Sequence, residues 1–141
     1  MTTQERNKRI MRRFVDEFQS RADEAVADQI LADNFVDRSP FPGVSPDREG
    51  VKRLFGALRA AFPDLRAEIH DQVAEGDRVA TRKTFHGTHR GEFLGIPPTG
   101  QPVAFDVIDF VRMESNGRIA EHWNVVDLMG LMQQLGALQP G

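Results

Sequence analysis

Two runs of strand-forming residues either side of a short polar turn constrain this chain more than any other feature. Residues 103–113 and 118–126 are rich in β-branched and aromatic side chains, and Glu114-Ser-Asn-Gly117 lies between them. Asn-Gly is a strong hairpin signal. Side chains alternate faces along a strand. A two-residue turn sets Asp109 opposite Asn124, and a four-residue turn sets it opposite His122. In either register Asp109, His122 and Asn124 share one face with Phe105, Val107 and Val111. An acid, an imidazole and an amide on an apolar face are the candidate chemistry of the chain. Trp123 falls on the other face with Glu121 and Val125, which predicts packing under a helix or at a subunit contact.

The chain before the hairpin reads as helices and then strands. Thr2 and Glu5 have capping-box spacing. Ile10, Met11, Phe14, Val15 and Phe18 then recur at helical spacing, predicting a helix over 3–20. Its stripe packs on the sheet, and Phe14 and Phe18 are candidates to line a pocket. A second helix is expected over 22–31 with Ala25, Val26, Ile30 and Leu31 inward. Residues 33–39 lead into the loop Pro40-Phe-Pro-Gly43. Asp37 in that stretch reads either as a turn or capping carboxylate or as an acid facing a cavity. Ser45 has the character of an N-cap with Pro46 at the first helical position. Val51, Leu54, Phe55, Leu58, Ala61 and Phe62 form the stripe of a third helix that stops at Pro63.

From Leu65 the period changes to two. Leu65, Ala67, Ile69 and Val73 alternate with Arg66, Glu68, His70 and Gln72, as in a half-solvated strand. Glu75-Gly-Asp77 turns the chain into a second strand over 78–89. The loop over 90–100 is rich in Gly and Pro, and its Phe93, Leu94 and Ile96 suit a lid or a mouth. It lacks the Gly spacing and Lys of a phosphate loop. After the hairpin, residues 127–135 form a short helix or a segment that packs on a partner subunit, with Asp127 as its cap.

Helices followed by strands at hairpin spacing indicate α+β. The expected architecture is a single domain over 1–141. Three N-terminal helices pack on a curved, mainly antiparallel sheet, an α+β barrel forming a cone with a deep pocket. A net charge of −3 with dispersed Lys and Arg argues against nucleic acid as a partner. The absence of cysteine excludes disulfides, thiolate nucleophiles and thiolate metal sites. No apolar run has membrane-spanning length and the first residues lack a signal-peptide core, so a cytoplasmic protein without a membrane partner is expected. The four histidines show no helical metal-site spacing, so no metal is expected.

The segments Gly87-Thr-His-Arg-Gly-Glu-Phe-Leu-Gly-Ile-Pro-Pro-Thr-Gly100, Asp109-Phe-Val-Arg112, Gly117-Arg-Ile-Ala-Glu-His-Trp-Asn-Val-Val-Asp127 and Gln133-Gln-Leu-Gly136 resemble the SnoaL-like polyketide cyclases, or ester cyclases. Asn34-Phe-Val-Asp37 and Pro40-Phe-Pro-Gly43 fit as well, so the resemblance spans nearly the whole chain. It implies a fold like nuclear transport factor 2 and ketosteroid isomerase, assembled as a homodimer or higher homo-oligomer. It also implies cofactor-free, metal-free lyase or isomerase chemistry, an intramolecular aldol cyclisation of a hydrophobic polyketide-like ketone or ester. On that reading Asp109 and His122 form the acid–base pair, and Asn124 donates a hydrogen bond to a developing enolate oxygen. Phe14, Phe18, Asp37, Phe93, Ile96, Phe105, Val107 and Val111 surround the substrate. The family's ring-closing members place an acid–base aspartate two residues after the last-strand histidine, and here that position is Asn124. Two other readings stay open: a hydrolase or hydratase in which the same pair activates water, and a non-catalytic pocket for a hydrophobic small molecule. Burial raises the pKa of Asp109 and a protonated His122 lowers it, and the net sign is left to the structure.

Overall fold

Local irregularities in otherwise regular elements give this fold its shape. The protein, seen in a computed structural model, is described over residues 1–138. Helix α1 (Thr3–Arg13) starts with the expected capping box of Thr2 and Glu5. It continues into a π-helical segment, Phe14–Gln19, that buries Phe14, Val15, Phe18 and Gln19. The helical expectation over 3–20 therefore holds, with a change of winding in its second half. Ala22 then takes a left-handed conformation (φ 64°). Its N–H bonds the carbonyl of Phe18, and the N–H of Asp23 bonds that of Glu17, which closes the helix end. Helix α2 (Glu24–Ile30) buries Val26, Ala27 and Ile30, and Ala25, expected inward, is exposed.

The chain passes from α2 directly into a strand, β1 (Leu31–Asp37), where a lead-in to a loop was expected. Helix α3 (Arg48–Ala61) is capped by Asp47, whose carboxylate accepts the Gly50 N–H at 2.8 Å. Ser45, the expected cap, instead donates its hydroxyl to Asp47 at 2.8 Å. Four further strands follow: β2 (Arg66–Glu75), β3 (Arg78–Thr88), β4 (Pro102–Met113) and β5 (Ile119–Val126). Helix α4 (Leu128–Gln134) is capped by Asp127, as expected. The sheet order is β1-β5-β4-β3-β2. Every pairing is antiparallel except β1 with β5, which is parallel. Together these elements make the α+β cone. Among the described residues no helix is long and apolar enough to cross a membrane.

Two bulges set which side chains face inward. In β2 the register shifts at His70. Alternation reverses there, so Gln72 turns inward and Val73, expected inward, is 68% exposed. In the β4–β5 hairpin the loop has three residues. Glu114 N–H bonds the Arg118 carbonyl, and Gly117 (φ 84°) takes the left-handed position such a loop requires. This loop pairs Met113 with Ile119, a register that, carried on, would set Asp109 opposite Trp123. Ala120 is inserted as an extra residue, Arg112 pairs with Glu121, and Asp109 ends opposite Asn124. The bulge thus returns the register that a two-residue turn would give, and it sends Trp123 outward. Phe110 meets Trp123 edge-on at 5.8 Å and the Arg78 guanidinium lies 5.6 Å above it. On the same outer face Ile108, Phe110 and Val125 are exposed.

The left-handed Ala22 carries a steric cost that glycine lacks. Relief of about 1 kcal/mol is partly offset by the greater freedom of glycine in the unfolded chain, so Ala22→Gly is expected to stabilise by about 0.5 kcal/mol. A higher urea midpoint with an unchanged slope would show it; a lower midpoint would contradict it.

Candidate active site

The concave face of β3, β4 and β5 presents three cross-strand rows: Val79–Val111–His122, Thr81–Asp109–Asn124, and Lys83–Val107–Val126. Diagonal neighbours on such a face come within reach of long side chains. Asp109 therefore sits between His122 on one diagonal and Lys83 on the other. His122 Nε2 donates to Asp109 Oδ1 at 2.8 Å, and Lys83 Nζ donates to Asp109 Oδ2. Parallel pairing of β1 with β5 sets Asp37 beside His122. There His122 Nδ1 donates to Asp37 Oδ1 at 3.2 Å. Lys83 Nζ also donates to Gln19 Oε1 at 2.6 Å and lies 4.7 Å from the centre of the Phe85 ring. One continuous polar chain thus runs from Asp37 through His122, Asp109 and Lys83 to Gln19.

Both ring nitrogens of His122 face a carboxylate, so both need a proton, and the ring is an imidazolium. Burial pushes its pKa down, but the bonds to Asp109 and Asp37 outweigh this and raise it to about 9. Burial pushes the Asp109 carboxyl up, but the Lys83 charge and the His122 bond overcome that and hold it well below the usual carboxylate range. Lys83 is 1% exposed, and burial draws its ammonium downward against the pull of Asp109. The sign left open by the sequence is therefore settled by two cations acting on one buried carboxylate.

This chain forms the polar wall of an open cavity. Asp37, Asp109, His122 and Asn124 line it with Phe14, Phe93, Phe105, Val107 and Val111, and Asp37 fits both of its readings, since its Oδ1 also accepts the Ser39 N–H at 3.0 Å in a turn. Phe35, Phe41, Phe55 and Phe85 extend the apolar lining. Two expected lining residues do not reach it. Phe18 is packed behind Phe14, stacked at 5.1 Å and edge-on to Phe55. Ile96 forms a backbone bridge with Phe93 across the tip of the 90–100 loop and is not among the lining residues. The Asn124 side-chain amide has no hydrogen-bond partner among the described residues, and its backbone N–H is taken by Ser39 Oγ at 3.2 Å. The remaining histidines are engaged elsewhere: His70 with Thr84, His86 with Glu68, and His89 with Thr99.

Lys83, Gln19 and Ser39 belong to the site and were not singled out from the sequence. For Lys83 a signal exists. Val79, Thr81, Lys83 and Phe85 share one phase of β3, so a lysine lies on the apolar phase of a strand that pairs with the one bearing Asp109. Gln19 sits at the edge of the α1 stripe, where a polar residue is easily read as solvated.

The geometry has counterparts among known proteins. The SnoaL-like polyketide cyclase profile matches residues 9–135. Aklanonic acid methyl ester cyclase DauD of Streptomyces sp. strain C5 is 26% identical over 138 residues, 93% of this chain and 82% of that protein. TsrD from Streptomyces laurentii superposes with a TM-score of 0.86 at 31% identity, covering 98% of this chain and all of that one. AclR from Streptomyces galilaeus, a candidate hydroxylase, superposes with a TM-score of 0.86 at 32% identity over 98% of this chain and 89% of that one. A profile match over most of the chain, together with the shared fold, makes this protein a member of the SnoaL-like polyketide cyclase family.

Proposed function

We propose that this protein catalyses cofactor-independent acid–base chemistry on an apolar polyketide-like ketone or ester, an intramolecular aldol cyclisation, a reading supported by the likeness to DauD, which is named as a methyl ester cyclase. The observation that carries the proposal is a buried carboxylate, Asp109, bonded to an imidazolium and an ammonium in the wall of a phenylalanine-lined cavity. In the reaction Asp109 takes a proton from the carbon beside a carbonyl. The enolate carbon attacks a second carbonyl carbon of the same molecule, and a C–C bond forms. The new alkoxide takes the proton back, so all atoms are retained.

A carboxylate held this low is a weak base by itself. The charge it gives up does not leave the site, however. Negative charge moves from Asp109 to the enolate oxygen, and His122 and Lys83 are then free to attract the new anion in place of the old. Preorganised cations in a water-poor cavity make that exchange favourable. Asn124, at the position where ring-closing relatives carry an aspartate, supplies a free amide rather than a second carboxylate. The cation-flanked Asp109 takes the base role instead.

The outer face of β4 and β5 supports a second proposal, a homodimer in which Ile108, Phe110, Trp123 and Val125 are covered by another copy. Phe110→Glu is expected to halve the sedimenting mass; an unchanged mass would place the contact elsewhere.

With aklanonic acid methyl ester as substrate, Asp109→Asn is expected to lower kcat by about 10²-fold or more. Unchanged turnover would remove Asp109 from the reaction. A profile in pH adds an independent check. His122 has a folded-state pKa of about 9, above the ordinary 6.5. Its stabilising contribution is therefore complete below the unfolded value, fades as pH rises through the folded one, and is absent above it. Stability is expected to decline from about pH 6.5 up to about pH 9 and turnover to fall near pH 9, with Asp37→Asn moving the His122 NMR titration to lower pH. A wild-type midpoint near 6.5 would contradict the assignment.

A further inference from the structure

The acid–base chain ends at a residue with one half still unused. Gln19 Oε1 accepts a hydrogen bond from Lys83 Nζ. An ammonium has no lone pair to offer, so the amide oxygen must face it and the amide NH₂ must face away. Chemistry, rather than electron count, thus fixes which way this amide points. The residue is 4% exposed and lines the cavity. Its Nε2 has no hydrogen-bond partner among the described residues. It is not sealed in either, since the unpartnered buried side-chain atoms there are Arg48 Nε and His89 Nε2. The Gln19 NH₂ therefore opens onto cavity space.

Its position is held from three sides. The carbonyls of Phe18 and Gln19 accept hydrogen bonds from the Arg59 guanidinium at 2.6 and 2.5 Å, which anchors the end of the π-helical segment. Lys83 holds the side-chain oxygen. Asp109 and the Phe85 ring hold Lys83 in turn. Lys83 thus donates two hydrogen bonds, to Asp109 and Gln19, with the Phe85 ring beside it, and it acts toward a ligand through its charge rather than as a hydrogen-bond donor. The amide NH₂ lies one residue removed from Asp109, through Lys83, and is oriented before anything binds, as a donor to a reacting oxygen must be.

We propose that Gln19 is an oxygen-binding residue: its amide NH₂ donates to the carbonyl oxygen of the ligand, on which enolate charge develops, and Lys83 is the positioning residue that fixes the amide. This rests on the reading above in which the ligand is a ketone or ester. Gln19 reaches the cavity from the helical layer and Asn124 from β5, so two free amides flank Asp109 from opposite elements. A ligand oxygen held by Gln19 brings the adjacent carbon to the carboxylate.

The probe is 1-tetralone carrying ¹³C at its carbonyl, an apolar ketone whose infrared band moves to lower frequency when the oxygen accepts hydrogen bonds. Bound to the wild-type protein, the band is expected below its position in hexane. Gln19→Leu is expected to return it most of the way and to weaken binding roughly ten-fold, the loss of one hydrogen bond. Gln19→Glu keeps the size of the side chain and a partner for Lys83 but has no donor, and it is expected to return the band as well. That variant decides the matter if the leucine variant does not fold. A wild-type band at its hexane position, or a shifted band that persists in the folded Gln19 variants, overturns the proposal. The band reports binding alone, so it stands or falls separately from any loss of turnover in Asp109→Asn.

Discussion

The buried pair of Lys83 and Asp109 is the constraint on which the rest of this structure depends. Removing two such charges from water costs on the order of several kcal/mol per ion, and only close partners can offset it. Each further feature of the polar wall answers that demand. Asp109 has a second cation in His122, and His122 has a second anion in Asp37. Lys83 has Gln19 and the Phe85 ring. With two carboxylates, an imidazolium and an ammonium, the cluster is neutral as a whole. Removing any one member leaves an unpaired charge in an apolar cavity, so the cluster holds together as a unit.

Bringing these groups together takes distant parts of the chain and two irregularities in pairing. Gln19 arrives on a π-helical segment, whose wider winding carries Phe14, Val15, Phe18 and Gln19 to the buried side. Asp37 arrives on a strand that joins the sheet in parallel. His122 and Asn124 face inward because Ala120 is inserted after the hairpin turn. A one-residue change of register turns every later side chain of a strand over. Without that residue Trp123 would face the cavity and the histidine would face solvent. The same insertion bends the strand, as does the one at His70, and a bent sheet is what makes a concave wall. The inward facing of these side chains and the shape of the cavity thus come from the same local devices.

Much of this is legible in the sequence, and what is not has physical reasons. The helices could be read because each carries a cap and an apolar stripe, and the hairpin because its turn and alternation are local. Asp109, His122 and Asn124 could be placed on one face because parity survives any even turn. The actual turn is odd, and parity is rescued by a bulge that depends on curvature of the whole sheet. The same dependence hid the reversal after His70, which exposes Val73. Strand β1 was illegible because Asp33, Asn34 and Asp37 disfavour strands in isolation; pairing with β5 makes it one. Phe18 and Ile96 have the character of lining residues but lie one layer behind the cavity wall, a distinction that depends on depth rather than pattern. Lys83 could have been found, since a lysine on the apolar phase of a strand calls for a buried partner.

The neutrality of the cluster also bears on what the cavity can accept. Every formal charge within it already has a counter-charge, so no free cation is left to recruit an ionised ligand. A neutral apolar ketone or ester displaces water without breaking an ion pair. In the reaction proposed above, moving a proton from carbon to Asp109 would relocate one negative charge over a short distance and leave the net charge of the site unchanged. In a medium of low polarity that is the least costly form of proton transfer, because no net charge is created. The depressed basicity of Asp109 and its capacity to serve as a base are therefore compatible. The cations that make it a weak base toward water are the ones that stabilise the anion it forms.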